Sequence, residues 1–239
     1  MIIINNPNNP TGATIHKDVL QSIVDFAKAR NILVFADEVY RPLFHSLPAG
    51  TSAPPSILSF GYEHTVSTSS MSKAWSLAGV RVGWIATRDT EVLKAVESAR
   101  NYTTISVSQL DDAVAGYALS NAVRPGLLSR NLDLAKTNCD LIEGFVKEHA
   151  DICSWVKPTA GTTAFVRFQR GGRPVQDGEF CLEILEKAGV LVMPGSTCFG
   201  DGQDFEGYMR FGYVCSTEVL KEALEKLGAY LKTGYLEKS

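Results

Sequence analysis

The chain reads as an α/β protein: a mostly parallel sheet covered by helices, followed by a smaller C-terminal α+β unit. Three observations predict this. Short apolar runs of strand length alternate with helical periodicity over the first ninety or so residues, the pattern of a largely parallel sheet covered on both faces by helices. A long amphipathic stretch spans residues 125–149, with Leu128, Leu132, Ala135, Cys139, Ile142 and Val146 spaced on one face. Beyond it, strand-like and helical runs continue at closer spacing. With 239 residues and 45% hydrophobic content, there is enough apolar material for one large domain or two smaller ones.

In chain order, Met1–Ile4 reads as a short buried strand that enters the loop Asn5-Asn6-Pro7-Asn8-Asn9-Pro10-Thr11-Gly12, whose prolines, asparagines and glycine enforce a fixed turn. Residues 17–30 form a helix with Leu20, Ile23, Val24 and Ala27 on one face. Ile32–Ala36 is an apolar strand ending in Asp37-Glu38-Val39-Tyr40. Charged residues directly after a buried strand mark the carboxyl end of a sheet, where α/β folds place function. Residues 46–56 are a Pro/Ser/Gly-rich loop. Strands are expected at 65–68 and 82–87, and helices at 90–100 and 108–119, the latter with Leu110, Ala113, Val114 and Tyr117 inward. After the long helix come strands at 163–168, 190–193 and 208–214. Helices follow at 177–188 and 217–232, the last capped by Ser216 or Thr217.

Composition removes several function classes. The net charge is −3 and no long Lys/Arg run occurs, so nucleic acid and anionic membrane are not expected partners. No apolar run reaches membrane-spanning length, and the first residues lack the basic region of a signal peptide. The five cysteines, Cys139, Cys153, Cys181, Cys198 and Cys215, contain no C-x-x-C pair; most of them read as buried hydrophobes in a reducing, cytoplasmic setting. His16, His45, His64 and His149 show no ligand spacing, so no metal site is expected.

The chemistry concentrates in Ser69–Gly83, SSMSKAWSLAGVRVG. Lys73 lies among small residues, with Ser70 before it and Arg81 after it in Gly79-Val80-Arg81-Val82-Gly83. A lysine that forms an imine with a cofactor aldehyde must be positioned and able to lose its proton. A phosphorylated cofactor needs hydroxyls and an arginine fork. Taken singly, each residue has a plain reading as well. Lys73 could be a solvated surface lysine, Asp37 a helix N-cap, Asn9 a turn residue and Tyr40 a packed tyrosine. Arg81 could form a surface ion pair, and Arg210 could be a strand arginine at the protein edge.

Together the motifs carry more. The Asn-Pro loop, Ala36-Asp37-Glu38-Val39-Tyr40, Ser70-Met71-Ser72-Lys73 with Gly79–Gly83, and the late Tyr208-Met209-Arg210-Phe211 occur in that order, and in this the chain resembles the class I/II aminotransferases, pyridoxal-phosphate enzymes of fold type I. The resemblance runs over nearly the whole chain. It implies that Lys73 holds pyridoxal 5'-phosphate as a Schiff base and moves the substrate Cα proton. Asp37 would keep the pyridine nitrogen protonated. Asn9 and Tyr40 would hydrogen-bond the ring hydroxyl oxygen, Ser70 and Arg81 the phosphate. Arg210 would clamp the α-carboxylate of an amino acid or 2-oxo acid. Met193-Pro194-Gly195-Ser196 and Phe199-Gly200 resemble the loop that shapes the substrate cleft. Residues 1–130 correspond to the C-terminal portion of the cofactor-binding large domain and 131–239 to the small domain, joined through the helix at about 125–149; a homodimer is implied. In the family, further sheet strands, a phosphate loop and an aromatic residue stacked on the cofactor precede the Asn-Pro loop, so the chain is expected to lack the N-terminal part. That leaves a sheet edge open at Met1–Ile4. The threonines of Thr159-Ala160-Gly161-Thr162-Thr163-Ala164 depart from the larger residues usual after this glycine. Two alternatives follow: a pyridoxal-phosphate lyase or cyclising synthase, such as a carbon–sulfur lyase, and a truncated, inactive module of the same fold.

Overall fold

The structure is a computed structural model that describes residues 1–233. The end of the expected 131–239 unit, residues 234–239, lies outside them. The chain divides into two compact units. The first comprises Met1–Asn8, Ala13–Leu132 and Thr159–Gly161; the second comprises Asn9–Gly12, Asp133–Pro158 and the chain from Thr162 onward.

The first unit is built on a four-stranded sheet in the order β1 (Ile2–Asn5), β2 (Val34–Asp37), β3 (Thr65–Ser70), β4 (Gly83–Thr87). β1, β2 and β3 run parallel and β4 is antiparallel to β3. Helix α1 (Lys17–Lys28) lays Leu20, Val24 and Ala27 against Val34 and Ala36 of β2, as its periodicity requires. Helices α2 (Thr90–Arg100) and α3 (Gln109–Leu119) follow β4. A second cluster packs Met71, Ala74, Trp75 and Val82 against Ala115 and Ala118 of α3.

Three expectations are corrected here. β1 is not a buried strand, because it pairs on one side only and leaves Ile3 66% exposed. α3 turns its small residues inward, not its large ones: Leu110 is 81% exposed and Tyr117 70%, and Val114 is exposed as well. The sheet is not covered on both faces, since Gly83, Trp84 and Ile85 of β4 are exposed. Apolar periodicity marks a face that packs, but it does not say that the partner lies within these residues.

Helix α4 (Arg124–Glu148) is the long amphipathic element. The chain passes from the first unit to the second within it. In the second unit β5 (Cys153–Trp155), β6 (Thr163–Arg170), β9 (Tyr208–Gly212) and β8 (Met193–Pro194) form an antiparallel sheet in that order, with β7 (Arg173–Pro174) beside β6. Helices α5 (Asp177–Ala188), α6 (Gly195–Phe199) and α7 (Thr217–Thr233) complete it. Ala164, Val166, Phe168, Met209 and Phe211 point to one face of the sheet and meet Ala135, Cys139, Ile142 and Val146 of α4 together with α5 and α7. Strand formation at 190–193 is shorter than expected, being confined to Met193–Pro194. The short β5 and β7 carry too few residues for a legible period.

Buried Asn138 of α4 ties this unit together. Its amide donates to Tyr213 O (2.7 Å) and Cys215 O (3.0 Å), and its oxygen accepts from Thr217 Oγ1 (2.9 Å). Ser216 caps α7, its hydroxyl accepting from Val219 N at 3.4 Å.

Candidate active site

In the first unit the expected residues gather at the carboxyl ends of β2 and β3. The register aligns Asn5 with Asp37 and Asp37 with Thr68, so the Asn-Pro loop, Asp37 and the lysine segment leave the sheet at one end. Asp37 does not cap a helix. Its Oδ1 accepts from Val39 N at 3.1 Å, and its carbonyl accepts from Asn6 N at 3.0 Å and the Asn5 amide at 3.1 Å. Next to it Glu38, buried, accepts from Ile57 N (2.8 Å) and Ser67 Oγ (2.9 Å) and faces Arg41 at 3.8 Å. Sequence reading passed over Glu38, although its place between two site residues was visible; its partners lie 19 and 29 residues away.

Tyr40 is buried and packs by Gly161. Gly161 has φ 80°, a conformation that disfavours any side chain, and a Cβ there would meet the Tyr40 ring at 3.8 Å. The return segment is held by Gly161 N donating to Leu43 O (2.9 Å) and Ser46 N to Thr159 O (3.0 Å). Tyr40 is thereby braced from behind.

β3 ends at Ser70, and Lys73 follows in an exposed turn. Ser70 Oγ accepts from Ser72 N (3.0 Å) and lies within hydrogen-bonding reach of Ser72 Oγ (2.9 Å) and Val82 O (3.1 Å). Beneath the turn Met71, Ala74 and Trp75 are buried, and the amide of buried Asn131 on α4 donates to Ala74 O at 2.9 Å. Asn131, 57 residues away, was not legible as a support for the lysine turn. Among the described residues no carboxylate pairs with Lys73. Arg81 is exposed, adopts φ 53° just before β4, and donates from Nη1 to Ala78 O at 2.9 Å. The turn thus presents two hydroxyls, an amine and, eleven residues after Ser70, a guanidinium. This donor set suits a phosphorylated aldehyde.

In the second unit Arg210 is on β9, a strand flanked on both sides, and not at an edge. The register places it between Phe165 of β6 and Met193 of β8 on the face away from the core. Its Nη1 donates to Asn9 Oδ1 at 3.3 Å, its Nη2 faces the Met193 sulfur, and its guanidinium carbon is 5.4 Å from the Phe199 ring centroid. Its Nε is buried with no hydrogen-bond partner, so the fork retains a donor without an acceptor. Gly195 lets the Pro-Gly loop approach: a Cβ there would be 2.7 Å from Tyr208 O and 2.9 Å from the Phe165 ring. Asn9 and Arg210, far apart in sequence, are thus joined, while Asp37, Tyr40, Ser70, Lys73 and Arg81 belong to the first unit.

The family model for aminotransferases of class I and II matches residues 1–227. The chain is similar to a PLP-dependent aminotransferase from Streptococcus suis, with 34% identity and a TM-score of 0.84 over 97% of this chain and 57% of that one. It is 29% identical to a probable N-acetyl-LL-diaminopimelate aminotransferase of Bacillus subtilis, over 96% of this chain and 55% of the relative. It is 29% identical to the capreomycidine synthase of Streptomyces vinaceus, over 98% of this chain and 56% of that one. The chain therefore spans little more than half the length of these relatives.

Proposed function

The chain belongs to the class I and II aminotransferase family, and from this we propose that it serves pyridoxal-phosphate-dependent transfer of an amino group between an L-amino acid and a 2-oxo acid. The observation that carries the reading is the Ser70–Lys73 turn at the carboxyl end of β3, beside Asp37 at the end of β2. Pyridoxal 5'-phosphate, when bound, supplies an electron sink for the pair released at the substrate Cα. In this reading Lys73 Nζ anchors the cofactor aldehyde, then takes the Cα proton and returns it. Asp37 holds the positive charge of the ring nitrogen, Tyr40 and Asn9 bind the ring oxygen, and Ser70 and Arg81 bind the phosphate. Arg210 binds the substrate carboxylate, which its unpartnered Nε supports. A homodimer in a reducing, cytoplasmic compartment belongs to the same reading. Among the described residues no helix is long and apolar enough to cross a membrane.

A visible absorbance titration with pyridoxal phosphate tests this. The chain is expected to show a new band that Lys73→Ala lacks, and borohydride treatment is expected to fix the cofactor mass on the Lys73 peptide. Equal spectra for the two proteins would remove Lys73 from the role. The similarity to a capreomycidine synthase, with the polar Thr162 and Thr163 after Gly161, favours a second reading as a cyclising or eliminating enzyme. Amino-group transfer to the cofactor without loss or closure of the substrate side chain decides for transamination.

A further inference from the structure

Arg210 is walled by a segment too short to hold itself. Met193 of β8 and Phe199 of α6 flank its guanidinium, and the Phe199 ring also meets the Phe165 ring edge-on, with 5.8 Å between centroids. β8 has two residues and α6 has five. So short a helix has no stability of its own, because nucleation costs more than its few hydrogen bonds return. Its anchor is Asp177, in the first turn of α5 and only 2% exposed. Asp177 Oδ2 accepts from Ser196 N at 2.9 Å and from Ser196 Oγ at 2.8 Å. The Ser196 N–H is one of the first-turn donors that a helix cannot satisfy internally, so a carboxylate from another element caps α6. The Ser196 carbonyl in turn accepts from Gly200 N (3.0 Å) and Gly202 N (2.9 Å), which ties the far end of α6 to the same residue. Among the described residues no cation pairs with Asp177, so neutral donors meet its buried carboxylate.

Resting on the reading of Arg210 as the carboxylate clamp, we propose that Asp177 is its positioning residue. By capping α6, Asp177 fixes Phe199 and, through Pro194 and Gly195, Met193 against the guanidinium. Arginine is long and flexible, and its planar fork meets a carboxylate in two parallel bonds only when its plane is held. A thioether and a ring edge hold that plane only while their own backbone is fixed, and Asp177 is the buried tether of that backbone. Both its bonds go to Ser196 and neither to Arg210, so its effect on carboxylate binding runs through α6.

Two measurements on the 239-residue chain and its variants test this. The first is amide exchange without cofactor: Asp177→Ala is expected to speed exchange across Ser196–Gly200 about tenfold or more and to leave Thr163–Arg170 of β6 unchanged. The second is carboxylate affinity of the chain loaded with pyridoxal phosphate, read by visible absorbance with 2-methylalanine, an amino acid without a Cα proton. Asp177→Ala is expected to weaken this probe about tenfold and to keep the affinity for pyridoxal phosphate within about twofold. Asp177→Asn keeps an oxygen that can accept both bonds and is expected to restore most of the affinity. Ser196→Ala deletes one of the two bonds and is expected to weaken the probe about threefold. In an Arg210→Lys background, Asp177→Ala is expected to cost little more, since both changes act on one fork. Unchanged exchange at Ser196–Gly200, or faster exchange with unchanged probe affinity, would overturn the proposal. So would the full loss repeated in the Arg210→Lys background, the mark of a merely structural role. Probe affinity untouched by Arg210→Lys would remove the clamp reading itself, and this role with it.

Discussion

Arg210 shows what one residue can and cannot disclose. Its presence in a Tyr-Met-Arg-Phe run marks a candidate anion clamp, but its setting is decided by strand register. Phe165 and Met193 flank it, and Asn9 is 201 residues away. Lysine offers no bidentate fork, so Arg210→Lys is expected to lower kcat/KM for the amino acid by about 10- to 100-fold, the equivalent of one charged hydrogen bond. Steady-state kinetics measure this, and an unchanged kcat/KM would sink the clamp. The cysteines separate by burial. Burial pushes the Cys139 thiol up to about 11 and those of Cys153 and Cys181 up to about 12. They are therefore neutral and inaccessible at pH 8, while Cys198 is exposed. Thiol titration of the native chain is expected to label Cys198 first, and to reach the three buried thiols only on unfolding. Their burial was readable from the sequence; the exposure of Cys198 in the short helix α6 was not.

At the level of elements, α4 was legible because its stripe is long and regular, and the residues it names at 135, 139, 142 and 146 are buried. Ile142 is fully buried in the second unit's core, so Ile142→Ala is expected to cost about 2–5 kcal/mol through lost burial and the cavity left behind. Asn138 was not legible, because a polar residue on a helix gives no sign that its partners lie 75 to 79 residues on. Asn138→Ala leaves the Tyr213 and Cys215 carbonyls without this donor and is expected to cost about 1–3 kcal/mol. Urea midpoints measure both losses; an Asn138→Ala protein as stable as the parent would show that the bonds are replaced. α3 was misread for the opposite reason. Its period is clear, but the face it names is exposed and its alanines pack instead.

Across the whole molecule, ion pairs set the response to acid. Hydrogen bonds hold five carboxyls below their usual range: Asp89 by His64, Asp140 by Lys136 and Lys157, Glu143 by Lys157 and Lys147, Glu148 by Lys232, and Glu222 by Lys226. A carboxyl lowered in the folded state adds stability above its unfolded value, about 4, and loses it as pH falls through the folded value. Urea midpoints are therefore expected to fall from pH 6 to pH 3, and the fall should shrink in high salt because the pairs of Asp140 with Lys136, Glu222 with Lys226 and Glu148 with Lys232 are exposed. A midpoint that held or rose on acidification would contradict this. The chain passes between the two units within the long helix α4. Short segments that cross between them in sequence, Asn9–Gly12 and Thr159–Gly161, were not anticipated, since a three- or four-residue piece has no period of its own.

The order of motifs, the helical and strand periods, and the residue types at Lys73, Asp37 and Arg210 were all in the sequence, because local spacing and residue type suffice for them. Tertiary structure alone decided the pairing of Arg210 with Asn9, the supports Glu38, Asn131 and Asn138, and which apolar faces stay uncovered. Each of those depends on groups tens to hundreds of residues apart, which leaves no trace in a local pattern.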